Sequence, residues 1–288
     1  DVAPGDITDP ESVASALEGC DAVVHTAAVV GTDPTAAAEM ERTNLEGARN
    51  VLGTAAEAGC DPIVHFSSVA ALFPFETDPV TTDHPVRGDH NAYGRTKAAC
   101  ERFARGLQDD GHPVVTVYPS GVIGPDDWNE SVALQPSIFW LTRGFPVSKR
   151  YSGSYVDVRD LARIVVAVMA AGGGPRRHLA MGTHLTAREQ VAVIEEAIGA
   201  EISTARLPRP FWWFWSRLGD LGRRVGVDLI VTSDAYDYMF KSKPGDDSPT
   251  IEATGVEFRP VVETFADTFR WMYEAGYVEA RHVGTLAR

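Results

Sequence analysis

The stretch PIVHFSS, residues 62–68, is apolar with almost no alternation until it closes on two serines. A strand with one wet face alternates apolar and polar residues, whereas a strand covered on both faces reads as a continuous apolar run. DAVVHTAA at 21–28 and PVVTVYPS at 113–120 read the same way. Before and between them lie three helical patterns. DPESVASALEG at 9–19 has an Asp-Pro start and a Gly stop; longer patterns span 34–59 and 92–111. Short strand and amphipathic helix in strict turn, from residue 1 to about 125, predict an α/β fold with a doubly wound parallel sheet.

Past residue 125 the alternation loosens, and 126–288 reads as a smaller, α-rich substrate-binding region laid against the sheet. Residues 151–180 are expected to return to the first part. There YVDVRDLARIVVAVMAAGGG (155–174) reads as a strand, an Asp157 cap with Asp160 three residues on, a buried helix and a triple-glycine stop. TAREQVAVIEEAIGA and VVETFADTFRWMYEAG read as further helices. GDLGRRVG at 219–226 imitates a glycine-rich phosphate loop, but it follows an aromatic block instead of a strand and reads as a helix end.

With 288 residues, the chain can bury a full core. Its net charge of −14 repels polyphosphate backbones and anionic lipid alike, and sets nucleic acid aside as a partner. Cys20, Cys60 and Cys100 are odd in number and widely spaced, which suggests neither a disulfide framework nor a zinc site, and a reducing cytoplasm fits them best. The apolar run at 161–171 is too short to span a bilayer. The start, DVAPGD, has no initiator methionine and no signal pattern, and it looks cut.

The chemistry is concentrated in NAYGRTK at 91–97. Helical positions i and i+4 share a face, so Tyr93 and Lys97 should be neighbours. An ammonium about 4 Å from a phenol, at an effective dielectric near 20, favours the phenolate by about 4 kcal/mol, or roughly three pKa units. That shift would bring a phenol with an ordinary pKa of about 10 into a catalytic range. Roughly 0.1 chance matches to this spacing are expected in such a chain, so one match is not enough by itself. Ser67 and Ser68 add weight. They lie at the carboxyl end of a strand, where open α/β sheets bind ligands.

Seven short motifs in order resemble the extended short-chain dehydrogenases/reductases: GDITD (5–9), DAVVHTAA, NLEGARNVL (44–52), HFSS (65–68), YGRTK (93–97), YPSGVIGP (118–125) and YVDVRDLA (155–162). The resemblance runs from residue 1 to about 275 and implies a Rossmann-like sheet. It implies that Ser68, rather than Ser67, and Tyr93 hold the substrate oxygen. Tyr93 would pass the proton while a nicotinamide passes a hydride, and Lys97 would lower the phenol's pKa and hold the ribose. It further implies NAD or NADP beside Asp6, Ile7, Ala27, Ala28, Asn44, Pro119 and Val122, and a homodimer through the helices at 34–59 and 92–111. The family's glycine-rich loop follows its first strand, and neither is in this sequence, so the chain reads as lacking the first βαβ elements, as a fragment of a longer protein would.

Within that superfamily, Val69, Ala70 and Ala71 after Ser68 cannot transfer protons, which disfavours dehydration. Gly121 stands where sugar-nucleotide epimerases usually carry asparagine. What remains resembles the dihydroflavonol-reductase and 3β-hydroxysteroid-dehydrogenase branch, whose substrates are fairly apolar ketones and alcohols. A sugar-nucleotide epimerase and a non-catalytic dinucleotide-sensing protein are the alternatives. The aromatic block Phe211–Trp215, followed by Arg217, Arg223 and Arg224, admits three fates: cap core first, then substrate pocket, then a peripheral membrane or subunit contact. His84 and His90, beside Asp83 and Asp89, lack metal-binding spacing and read as a solvated loop, with no metal expected. No G-x-S-x-G elbow supports hydrolase chemistry.

Overall fold

The computed structural model describes residues 2–30, 37–88, 91–131, 134–224 and 233–287. In chain order its elements are α1 (Pro10–Leu17), β1 (Val23–His25), α2 (Ala37–Glu57), β2 (Ile63–Phe66), α3 (Ala92–Asp109), β3 (Val114–Pro119), β4 (Gly121–Ile123), α4 (Leu134–Arg143), β5 (Phe145–Val147) and β6 (Ser152–Asp157). There follow α5 (Val158–Val168), β7 (Arg176–Ala180), β8 (Thr183–Thr186), α6 (Ala187–Ile198), β9 (Thr204–Arg206), α7 (Arg209–Arg224), α8 (Ser233–Lys241), α9 (Ser248–Thr254) and α10 (Val261–Glu274). The chain divides into two compact units: Asp1–Ser120, Leu161–Ala180 and Gly245–Val256 form one, and the remainder forms the other.

The first unit is built on an all-parallel sheet in the order β1-β2-β3-β7. Neighbouring residues of both parities are buried: Ile63 and Val64 on β2, Val114 and Val115 on β3. The continuous apolar runs therefore arise because neither face of these strands meets water. Ile63 and Val114 face α2 and α3, packing with Ala48, Leu52, Ala55 and Ala104. Each large apolar side chain buried there contributes about 1.5–3 kcal/mol. Gly47 on α2 is required for close approach, because a Cβ there would meet Ile7 Cδ1 at 2.4 Å. β1 forms one margin of this sheet among the described residues, and Val24 on it is 40% exposed.

The second unit joins a three-stranded sheet, β4-β6-β8, to helices around an aromatic core. Phe145, Tyr151, Phe265 and Phe269 lie in that core, and Trp140 meets Phe145 with ring centroids 5.2 Å apart. The YVDVRD motif becomes an ion lattice. Arg159 bonds buried Asp157 at 2.7 Å and Asp267 at 2.7 Å, while Arg259 bonds buried Asp160 at 2.9 Å. Asp157 also accepts from Arg159 N at 2.8 Å, which starts α5.

Three sequence expectations change. α5 buries Leu161, Ile164 and Val168 but leaves Val166 exposed, so the run at 161–171 is a one-sided helix. α7 runs through Gly219 and Gly222 without ending at them, and Gly226 lies outside the described residues. His84 is buried instead of solvated. Its Nε2 accepts from Glu76 N at 2.7 Å, so Nδ1 carries the hydrogen and donates to Pro85 O at 2.9 Å. An imidazole can tie a loop together in this way only once the chain has folded back on itself, which residue spacing does not reveal. His90 and Asp89 lie outside the described residues, and no metal-holding cluster occurs among the described ones.

Candidate active site

α3 begins where Asn91, with extended backbone, accepts from Gly94 N at 2.6 Å. From that start Tyr93, Lys97, Glu101 and Arg105 follow at four-residue intervals and form one ridge. Ser68 ends the segment after β2, where its Oγ accepts from Ala70 N at 3.1 Å and stands close enough to the Tyr93 phenol to lower its pKa. Lys97 is buried; its Nζ donates to Phe66 O at 3.1 Å and stands 6.0 Å from the centroid of the Tyr93 ring. Ser68, Tyr93 and Lys97 therefore gather at the carboxyl edge of the parallel sheet. Val69, Ala70 and Ala71 form a buried 3-10 turn beside them and carry no ionisable group.

The electrostatics differ from expectation. Burial raises the Tyr93 pKa above its ordinary value of 10, and Ser68 only partly opposes this. Burial likewise lowers the pKa of Lys97. Desolvation is the leading cause for both groups, and the amine is engaged with Phe66 O rather than hydrogen-bonded to the phenol. The consequence is a phenol that stays protonated at neutral pH and releases its proton less readily than a free phenol.

Beneath the ridge is a buried network that spacing alone did not reveal. Tyr118 donates to Glu101 Oε1 at 2.5 Å, and Arg105 donates to the same oxygen at 2.9 Å and to Tyr118 OH at 3.1 Å. Glu101 is fully buried, and burial raises its pKa although Tyr118, Arg105 and Ser67 all pull it down. Ser67 thus faces the network, while Ser68 faces the phenol. The available signal was the ridge itself, since Glu101 and Arg105 continue the four-residue rhythm of Tyr93 and Lys97.

The other residues singled out by the sequence serve the neighbouring loops. Asp6 accepts from Thr8 N and Thr8 Oγ1, each at 2.8 Å, closing a turn on the surface. Ile7 packs against α2, and its carbonyl accepts from Asn50 at 2.9 Å. Asn44 clasps Val29 at two points, N–H to Oδ1 at 2.7 Å and Nδ2 to carbonyl at 2.9 Å. It thereby fixes the segment holding Ala27 and Ala28. Extending the β1-β2-β3 register three residues brings Ala28, Ser68 and Pro119 to the same level of the sheet edge. Val122 belongs to β4 in the second unit, where it lines a cavity of about 270 Å³ with Gly124, Pro125, Leu134, Val158 and Thr268. Asn44→Ala is expected to cost about 1–3 kcal/mol, by removing both anchors of Val29, and to weaken dinucleotide binding. Thermal melting and a fluorescence titration with NADH check it.

Three buried histidines are also poised. His25 and His65 stack with centroids 5.9 Å apart, and neither ring nitrogen of His65 has a hydrogen-bond partner. Burial, then the nearby Lys97 charge, lowers His25 to about 4 and holds His65 well below 6.5. Burial, then Arg176, lowers His178 to about 4. Because the folded values lie below the unfolded one, the unfolded chain takes up protons that the folded chain refuses. This stabilisation is complete above pH 6.5 and is lost as pH falls toward 4. Urea midpoints between pH 6.5 and 5 should fall steeply, and His65→Leu should make the slope shallower by up to about 1.4 kcal/mol per pH unit.

The sequence matches the NAD dependent epimerase/dehydratase family over residues 1–182. The chain belongs to that family. This family member is of the extended short-chain dehydrogenase/reductase type, an NAD(P)-dependent enzyme. It is 26% identical to a Synechocystis sp. protein assigned as a dihydroflavonol 4-reductase, over 96% of this chain and 83% of that protein. It is 25% identical to sterol demethylase protein B of Methylococcus capsulatus, over 95% of this chain and 85% of the relative. Among solved structures, the Bordetella bronchiseptica enzyme WbmH in complex with NAD+ superposes with a TM-score of 0.71 at 26% identity, covering 94% of this chain and 82% of that one.

The residues present suit the nicotinamide end of such a cofactor. Lys97 has two ammonium hydrogens beyond the one given to Phe66 O, buried and without another partner among the described residues. Small Ala27 and Ala28 leave the sheet edge open to a flat ligand. Among the described residues no glycine-rich turn leads from a strand into a helix at this edge.

Proposed function

We propose that this family member interconverts a ketone and a secondary alcohol on a small, fairly apolar substrate. The observation that carries the reading is the meeting of Ser68, Tyr93 and Lys97 beside a turn, Val69–Ala71, that holds no second acid or base. A bound nicotinamide dinucleotide supplies the two-electron exchange with the substrate carbon. Tyr93 and Ser68 hold the substrate oxygen between two hydroxyls. Tyr93 gives that oxygen its proton in reduction and recovers it in oxidation. Lys97 offers its free donors to the ribose hydroxyls and keeps a positive charge near the phenol as it loses its proton. Ala27, Ala28 and the Asn44-clasped loop border the dinucleotide, with Asp6 and Ile7 toward its adenine and Pro119 toward its nicotinamide.

The dihydroflavonol 4-reductase and sterol demethylase names of the relatives support an apolar substrate. So do the largely aliphatic walls of the second-unit cavity. The first unit is read as the dinucleotide-binding domain, the second as substrate-binding, and a homodimer through the outer faces of α2 and α3 belongs to the same reading. Three free cysteines, two of them buried, suit a cytoplasmic setting. Among the described residues no helix is long and apolar enough to cross a membrane.

The test mixes the protein with NADH or NADPH and a panel of apolar ketones and follows the reduced-nicotinamide absorbance. Loss of that band on ketone addition is the expected result. Interconversion of UDP-sugar epimers without net cofactor change would replace this reading with an epimerase. Dinucleotide binding with neither reaction would replace it with a sensing protein.

A further inference from the structure

α7 carries its apolar side chains in an unusual place. At 100° per residue, Trp212, Ser216 and Gly219 share one narrow face, and that face is the buried one. Phe211, Phe214, Trp215, Leu218 and Leu221 share a second arc about 120° wide. Four of these, together with Trp213 on the flank, are 40–56% exposed. The helix therefore turns a small face inward and its large aromatic stripe toward water, the reverse of an ordinary surface helix.

The segment is basic, although Arg209 turns inward to donate to Tyr236 OH at 2.7 Å and Arg217 pairs with Asp220 at 3.7 Å. Residues 206–224 contain five arginines, Arg206, Arg209, Arg217, Arg223 and Arg224, against the single acid Asp220, in a chain whose net charge is −14. Arg217 lies 5.7 Å over the exposed Trp213 ring at the border of the stripe. Arginine beside tryptophan at the rim of an apolar stripe suits an interface where hydrocarbon gives way to anionic headgroups.

We propose that α7 is the surface by which this protein docks on an anionic lipid bilayer, its Phe211–Phe214–Trp215–Leu221 stripe entering the headgroup region and the neighbouring Arg206 and Arg217 meeting lipid phosphates. A second copy fits less well. The exposed stripe amounts to roughly 500 Å², large for a monomer's apolar patch but short of the ~800 Å² per partner of a stable protein interface. A self-complementary contact would also face this arginine-rich segment against itself.

The test is sedimentation of the full chain with vesicles of phosphatidylcholine containing a quarter phosphatidylglycerol, set against pure phosphatidylcholine. It needs no catalysis, so it stands apart from the ketone assay. The expected result is co-sedimentation with the anionic vesicles, reduced by high salt, with a blue shift in tryptophan emission. The triple variant Phe211→Ser, Phe214→Ser, Trp215→Ser should lose vesicle binding at least tenfold while keeping its melting curve. Because all three positions are exposed, the fold is expected to survive; the single variant Leu221→Glu supplies the same readout if it does not. Absence of wild-type sedimentation on either vesicle overturns the proposal. So does unchanged binding of a folded variant, or light scattering that shows a dimer which the variants convert to monomer.

Discussion

Tyr93→Phe should lower kcat for ketone reduction by about 10²–10⁴-fold, with the melting temperature and NADH affinity little changed, since only a proton donor is removed. Tyr93 is half-buried, as is Ser68 beside its phenol, so losing the oxygen leaves no deeply buried partner stranded. The pH profile offers a second check. Burial raises the phenol's pKa, so Tyr93 is protonated across the neutral range and reduction should be nearly flat there. Alcohol oxidation needs the phenolate, so its rate should climb with pH through the alkaline range without a plateau below pH 10. Full activity in Tyr93→Phe would remove this residue from the chemistry, and an oxidation plateau near pH 7 would show that another group lowers the phenol's pKa.

Glu101→Ala should be among the most damaging single changes to stability, at about 3–5 kcal/mol. It strands the fully buried Tyr118 hydroxyl, which donates to Glu101 Oε1, and takes the carboxylate from Arg105, whose half-buried guanidinium keeps His84 O and Tyr118 OH. Glu101→Gln keeps an acceptor for both and should cost about 1–2 kcal/mol, because burial has already pushed the carboxyl toward its neutral form. Urea unfolding of the two variants separates the cases. Equal losses would mean that the negative charge, and not the acceptor oxygen, holds the network. Since Glu101 lies one turn beyond Lys97 on the same ridge, Glu101→Ala should also reduce turnover in the fraction that remains folded.

α3 shows how far residue spacing carries. Tyr93 and Lys97 were legible as neighbours because a helix repeats every 3.6 residues, and four-residue spacing is a property of the local backbone. Ser68 was legible because a strand's carboxyl end follows from where its apolar run stops. Tyr118 was not. Its partner Glu101 lies 17 residues away on another element, and only the pairing of β3 beneath α3 brings them together. The aromatic block is a similar case. Cap core was the first of its three fates, yet Trp212 alone of the five is buried. Side-chain chemistry shows that five consecutive aromatics cannot share one helix face; which face meets water depends on the neighbouring helix.

The amino-acid sequence by itself determined the parallel α/β architecture and the shared helix face of Tyr93 and Lys97, because apolar runs and helical repeats are short-range patterns governed by backbone geometry, and its seven ordered motifs pointed to the family. Tertiary structure alone decided the direction of the Tyr93 and Lys97 pKa shifts, the burial of His84 and His65, and the outward stripe of α7. Each of these depends on how much water reaches a group, and solvent access is set by segments distant along the chain.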